Sequence, residues 1–223
     1  MLEEDDFSYY GDPVDPGLEY SLHSGANLIS FPSDGSVSIP DGIPDDVEDQ
    51  FLAILGEGSA AVKINGIWNG SLQEFKGTEG YWVIVQSDLT FSYDLTNLSE
   101  ETTSRLSITK APTGYEYKQS SQQAFYFIKN ISDINPGDWI LAYNGDKVIG
   151  ARQWDGEIID VPAMGDDGYD FTKGYMESGS TPQFKLLSEN KLIDLTGEIP
   201  AWLENQFFVI SNLRPVPESF SLS

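Results

Sequence analysis

The residues best placed to do chemistry in this chain lie between Trp154 and Glu177. Gly165-Asp166-Asp167-Gly168-Tyr169-Asp170 puts three carboxylates on one Gly-rich loop, with Asp160 a few residues upstream and Glu177 downstream. A hard divalent cation takes about six to eight oxygens, which Asp side chains and loop carbonyls can supply. Asp160, Asp166, Asp167 and Asp170 are therefore the candidate metal ligands, and calcium is the candidate cofactor. The spacing is not that of an EF-hand, which needs acids at alternating positions before a Gly. The competing account is that Asp and Gly build turns through side-chain-to-backbone hydrogen bonds. Trp154, Tyr169 and Tyr175 flank the same loop. Flat rings beside polar side chains suit stacking on a sugar ring, so these three are candidate ligand-binding residues. Trp68, next to Asn69-Gly70, is a further one. Against this, aromatic residues in small β proteins mostly fill cores and pair across strands.

Other catalytic chemistry has little to stand on. With 36 acidic residues, chance pairs at the carboxylate separation used in glycoside hydrolysis are inevitable, and abundance identifies none of them. The single histidine, His23, is accompanied by no Gly-x-Ser-x-Gly elbow. Walker, Gly-x-Gly-x-x-Gly and His-Glu-x-x-His patterns are absent. The expectation is a chain that is not an enzyme, with a small hydrolase as the third reading.

Composition narrows the partners. Twelve basic against 36 acidic residues give a net charge of −24, which repels phosphate backbones and anionic membranes. Neither a nucleic acid nor membrane insertion is expected. Apolar runs are far short of the roughly 20 residues a spanning helix needs. The chain has no cysteine, which excludes disulfides and thiolate metal sites.

The elements that must position the loop read as β structure. Asp138 to Trp154 holds two apolar-rich runs around Asn144-Gly145-Asp146, a strong hairpin signal because these residues accept positive φ. Its register is open: an Asn144-Gly145 turn sets Leu141 opposite Val148, and a Gly145-Asp146 turn sets Tyr143 there. Asn65-Gly66 within 60–72 and Glu189-Asn190 within 184–195 mark further hairpins, and 80–95 and 207–213 read as strands. One helix is expected at about 45–55, because Val47, Phe51, Ile54 and Leu55 fall on one helical face between Pro44 and Gly56. The predicted fold is mainly β, in two small β-sandwich-like modules, the first with that helix packed on its sheet. The bounds are an acidic linker over 1–17, a first module over 18–112, a second over 113–214 and a tail over 215–223.

Several stretches carry a resemblance. Ser24-Gly25-Ala26-Asn27-Leu28-Ile29-Ser30-Phe31-Pro32, followed by Glu79-Gly80-Tyr81-Trp82-Val83-Ile84-Val85, resembles a motif pair of extracellular accessory modules in Bacteroidota-type surface proteins. The 137–154 segment, with the runs at 160–168, 174–179 and 181–187, resembles a module that often follows. Residues 216–223, VPESFSLS, are similar to the opening of the C-terminal sorting signal of type IX secretion. The resemblance implies part of a longer secreted or cell-surface protein, acting as a non-catalytic structural stalk beside neighbouring domains. It leaves room for a second role, binding polysaccharide or other cell-surface components through the 154–177 region.

Overall fold

The computed structural model describes residues 14–15, 17–99 and 110–217. Most of the acidic linker, the stretch at 100–109 before Pro112 and the last residues of the VPESFSLS tail lie outside them. Among the described residues no helix is long and apolar enough to cross a membrane. The first module contributes β1 (Tyr20–Leu22), β2 (Gly25–Ser30), β3 (Ser36–Ser38), the four-residue helix α1 (Ile39–Gly42), β4 (Phe51–Leu55), β5 (Ala60–Ile64), β6 (Ile67–Asn69), β7 (Glu74–Lys76), β8 (Gly80–Val85) and β9 (Leu89–Phe91). The second contributes β10 (Gln123–Ile128), β11 (Trp139–Asn144), β12 (Lys147–Gln153), β13 (Ile159–Met164), β14 (Gln183–Ser188), β15 (Lys191–Thr196), β16 (Gln206–Ile210) and β17 (Arg214–Pro215).

The fold is mainly β, as expected, but the helix does not lie at 45–55. Residues 48–50 form a single 3₁₀ turn, and Phe51–Leu55 is a strand in the interior of its sheet. A short, wholly apolar run fits a buried strand as well as a buried helix, and periodicity cannot separate them. Here both faces of β4 are covered. Phe51 and Ile54 pack into the first module's core, while Ala53 and Leu55 face the second module. A helix at this point would bury only one stripe. The helix that does form is α1, capped by the Ser38 side chain, which accepts from Asp41 N.

The layers follow from alternation along the strands. The first module's main sheet, ordered β2-β8-β4-β5-β6, turns Tyr81, Val83 and Val85 toward a core closed by the two-stranded ribbons β1-β9 and β3-β7. Its other face, carrying Ala53, Leu55, Ala60, Val62 and Ile84, packs directly on Phe125 and Phe127 of β10. Strand β10 belongs to the three-stranded sheet β13-β10-β16, whose far face turns Ala124, Tyr126 and Ile128 into the second module's core. That core is closed by the sheet β12-β11-β14-β15-β17. Because both faces of β10 and β13 are covered, every residue in them is buried. Burying Phe125 and Phe127 in this shared wall contributes about 1.5–3 kcal/mol each by transfer alone.

The 138–154 hairpin takes the Gly145-Asp146 turn. Asn144 pairs with Lys147 and Tyr143 with Val148, with Gly145 at φ 58°. Beyond Tyr143 the register shifts by one: Ala142 faces Gly150, Leu141 faces Ala151 and Ile140 faces Arg152. This β-bulge leaves Ile149 as the extra residue. Directly opposed residues share a face, so the shift rotates Gly150 and Arg152 to the inner side with Ile140, away from Leu141 and Tyr143. Without it Arg152 would oppose Trp139 on the outer side. Gly150 now lies where β12 crosses β13, and a Cβ there would stand 1.7 Å from the Pro162 carbonyl oxygen. Gly150→Ala is therefore expected to cost about 3 kcal/mol or more in urea unfolding. Gly80→Ala, where the nearest atom is 3.6 Å away, is expected to cost at most about 1 kcal/mol.

Candidate functional site

Two places concentrate polar chemistry, the loop at 165–176 and the seam between the modules. The loop is closed at its base by backbone bonds. Asp166 N donates to Met176 O at 2.9 Å, Met176 N to Met164 O at 3.1 Å, and Gly165 N to Gln122 O at 2.7 Å. Its acids then work inward. Asp166 Oδ1 accepts from Gly168 N and Oδ2 from Gly174 N, each at 3.0 Å. Asp167 Oδ2 accepts from Ser121 N at 3.0 Å, and Oδ1 accepts from the Thr172 hydroxyl at 2.5 Å. Thr172 is fully buried beneath the turn, and its N–H donates to Tyr169 O at 3.0 Å. The tip of the 138–154 hairpin braces the far side. Asn144 Nδ2 donates to Gly174 O and Tyr175 O, and Lys147 Nζ to Lys173 O.

These bonds set the electrostatics. The Thr172 hydroxyl first, then the Ser121 N–H, hold the Asp167 carboxyl well below the usual carboxylate range. Asp170 is exposed at the tip. Among the described residues no three His, Cys, Asp or Glu side chains are grouped to hold a metal ion. Asp160 is not part of the loop's acid set at all, since it lies on the buried strand β13 and faces the first module. Asp166 and Asp167 spend their oxygens on the loop's own donors and on Ser121, the side-chain-to-backbone bonding that builds a turn.

The aromatic candidates separate. Trp154 is buried in the second core, its backbone N–H donating to Asp138 O at 2.7 Å. Tyr175 is buried too, its hydroxyl accepting from Lys118 N at 2.8 Å. Neither presents a face to solvent, because both belong to the second module's core. Trp68 is half-buried, packed on the first core with Nε1 donating to Glu48 Oε1 at 2.8 Å. Tyr169 alone of the three predicted residues is open, at 63% exposure. Beside it stands Phe171, 54% exposed, with ring centroids 5.4 Å apart and planes 7° from parallel. Phe171 was not among the candidates, although the Tyr-Asp-Phe spacing on a Gly-rich turn was its available signal. His23 is exposed, its Nδ1 2.9 Å from Ser24 O.

The seam carries the other cluster. Asp160 Oδ2 meets Arg152 Nη2 at 2.9 Å, and Arg152 Nε donates to Asp160 O at 2.8 Å. Across the boundary, Asp160 accepts from Ala60 N at 3.0 Å, Ser71 N at 2.8 Å and the Ser71 hydroxyl at 2.7 Å. Arg152 Nη2 also donates to Gly58 O at 2.8 Å, and Gln123 Nε2 to Gly56 O at 2.9 Å. The β4–β5 turn of the first module is thereby gripped at three points. Burial pushes the Asp160 carboxyl up, while the guanidinium and the Ser71 donors pull it down. A polar cleft of about 210 Å³ opens beside this cluster, with Gln73, Gln153, Asp155 and Glu157 in its walls. No known protein family, curated protein or solved structure matches this chain.

Thr172→Val removes the hydroxyl that does most to keep Asp167 ionised, at nearly constant volume. A carboxyl-carbon NMR titration is expected to find wild-type Asp167 ionised well below the pH at which exposed acids protonate, with an upward-shifted midpoint in the variant. Its folded value is depressed, so the stability it brings is present above the ordinary carboxylate range and is lost as pH falls toward the folded midpoint. An unchanged midpoint in the variant would show that the backbone donors alone hold it.

Proposed function

We propose that this chain is a non-catalytic spacer, two β modules joined into one rigid body within a longer extracellular, cell-surface or secreted protein. One observation carries the proposal: the modules are joined by a continuous apolar wall and by a buried ion pair whose acid is bonded to both of them. A hinge between modules exposes polar, water-filled contacts, whereas here Phe125 and Phe127 are wholly buried against the other module. Such a joint transmits position and load from one end to the other. The sequence resemblance to stalk modules of type IX secreted proteins and the net charge of −24 fit a soluble extracellular setting. In the seam cleft Asp160 is held by Arg152, Ser71 and Ala60, and both of its oxygens are taken up by these bonds rather than left for acid–base work. That arrangement favours a structural part over a hydrolytic one.

The rigid-body reading has a direct test. Calorimetry of the wild-type chain is expected to show one cooperative transition for both modules. Asp160→Ala leaves Arg152 buried without its partner and is expected to cost about 3–5 kcal/mol, splitting the transition in two and broadening the small-angle scattering envelope. Arg152→Met combined with Asp160→Leu is expected to recover most of that loss, because an apolar pair of similar bulk avoids the stranded charge. Two independent transitions in the wild type would sink the proposal. So would turnover of glycoside, ester or peptide substrates that disappears in Asp160→Asn.

A further inference from the structure

We infer that Tyr169 and Phe171 form a stacking platform for a neutral saccharide. Among the described residues these two are the exposed aromatic side chains, and every tryptophan is buried or half-buried. Their planes lie 7° from parallel with centroids 5.4 Å apart, an offset stack in which each ring keeps one face turned away from its partner and more than half of its surface open. The loop beneath is fixed by Asp166, Asp167, Thr172 and the Asn144 brace, so the rings stand in place before any ligand arrives and little ordering cost remains. Beyond the roughly 0.5–1.5 kcal/mol of their mutual stack, the open faces of the two rings gain nothing for folding. A surface ligand is the use to which this arrangement is suited.

The occupant follows from size and charge. Two partly open rings offer at most a few hundred Å², well below the roughly 800 Å² per partner of a stable protein interface. The chain's net charge of −24 works against polyanions. Asp170, between the two rings in sequence, and Lys173, both exposed, are available to accept hydrogen bonds from and donate them to sugar hydroxyls. An uncharged ring with one C–H face and a rim of hydroxyls matches all of these: a pyranose unit of a neutral polysaccharide. This inference does not depend on the spacer proposal, since a platform on one loop works on a rigid or a hinged body.

The test uses the full chain in affinity electrophoresis through gels containing neutral glucans, xylans, mannans or galactans, with an acidic polysaccharide as a control. At least one neutral polymer is expected to retard the protein and the acidic one to leave it unretarded. Titration calorimetry with the matching oligosaccharide is expected to show roughly three- to tenfold weaker binding for Tyr169→Ala and for Phe171→Ala, and none for the double variant. Because both rings are mostly exposed, the double variant should lose no more than the small contribution of their mutual stack and still unfold cooperatively, which separates lost binding from lost fold. Retardation by no neutral polysaccharide overturns the inference, as does undiminished binding by the double variant. Concentration-dependent self-association that vanishes in the double variant would overturn it too, by making the pair a contact between copies.

Discussion

The structure turns on one buried ion pair, Arg152 with Asp160, at the boundary of the two modules. A carboxylate on a fully buried strand is expensive to desolvate, and its attraction to one guanidinium does not offset that cost unless its remaining lone pairs are filled. Here they are filled from the other module, by Ala60 and Ser71. The apolar wall around the pair is non-directional and would accept several relative placements of two flat sheets. The donors around Asp160 accept one. The hydrophobic contact supplies most of the adhesion, and the polar cluster selects its geometry.

That pair in turn rests on a local irregularity. Regular pairing through the Gly145-Asp146 turn puts Arg152 on the outer face of β12. The bulge at Ile149 brings it inward, and Gly150 lets β12 lie close enough to β13 for the guanidinium to reach both the carboxylate and the carbonyl of Asp160. A one-residue slip in one hairpin thus decides whether the two modules share a joint.

Much of the fold was legible because short-range chemistry dictated it. Asn65-Gly66 and Glu189-Asn190 turn where the sequence said, each with both residues at positive φ. The β-branched and aromatic run Tyr81–Val85 marks a strand, and the structure finds it in the interior of the first sheet. What could not be read depends on tertiary cover. Phe51–Leu55 looked helical because its apolar residues match a helical stripe, and only the second module, packed against its far face, makes a two-sided strand the better solution. The loop divides the same way. Its Asp and Gly content announced a tight turn. Which rings would be buried was set by tertiary packing: Trp154 and Tyr175 lie in the second module's core, while Tyr169 and Phe171 sit on the turn itself. Asp160 was grouped with the loop acids by nearness in sequence, yet it alternates to the other side of β13.

Strand β16 lies parallel to β10, with Ala124 opposite Gln206 and Ile128 opposite Ile210. The sheet that forms the shared wall is therefore completed by a strand made well after its partner β10. Until β10 docks, a growing chain carries a first module whose outer face, with Ala53, Leu55, Val62 and Ile84, lacks the cover that Phe125 and Phe127 supply, and until β16 docks, β10 lacks one of its two sheet partners. Long loop closure of this kind is slow. The order of synthesis thus runs opposite to the order of protection, and the exposed apolar sheet is the species a holding chaperone would meet on the way to the native state.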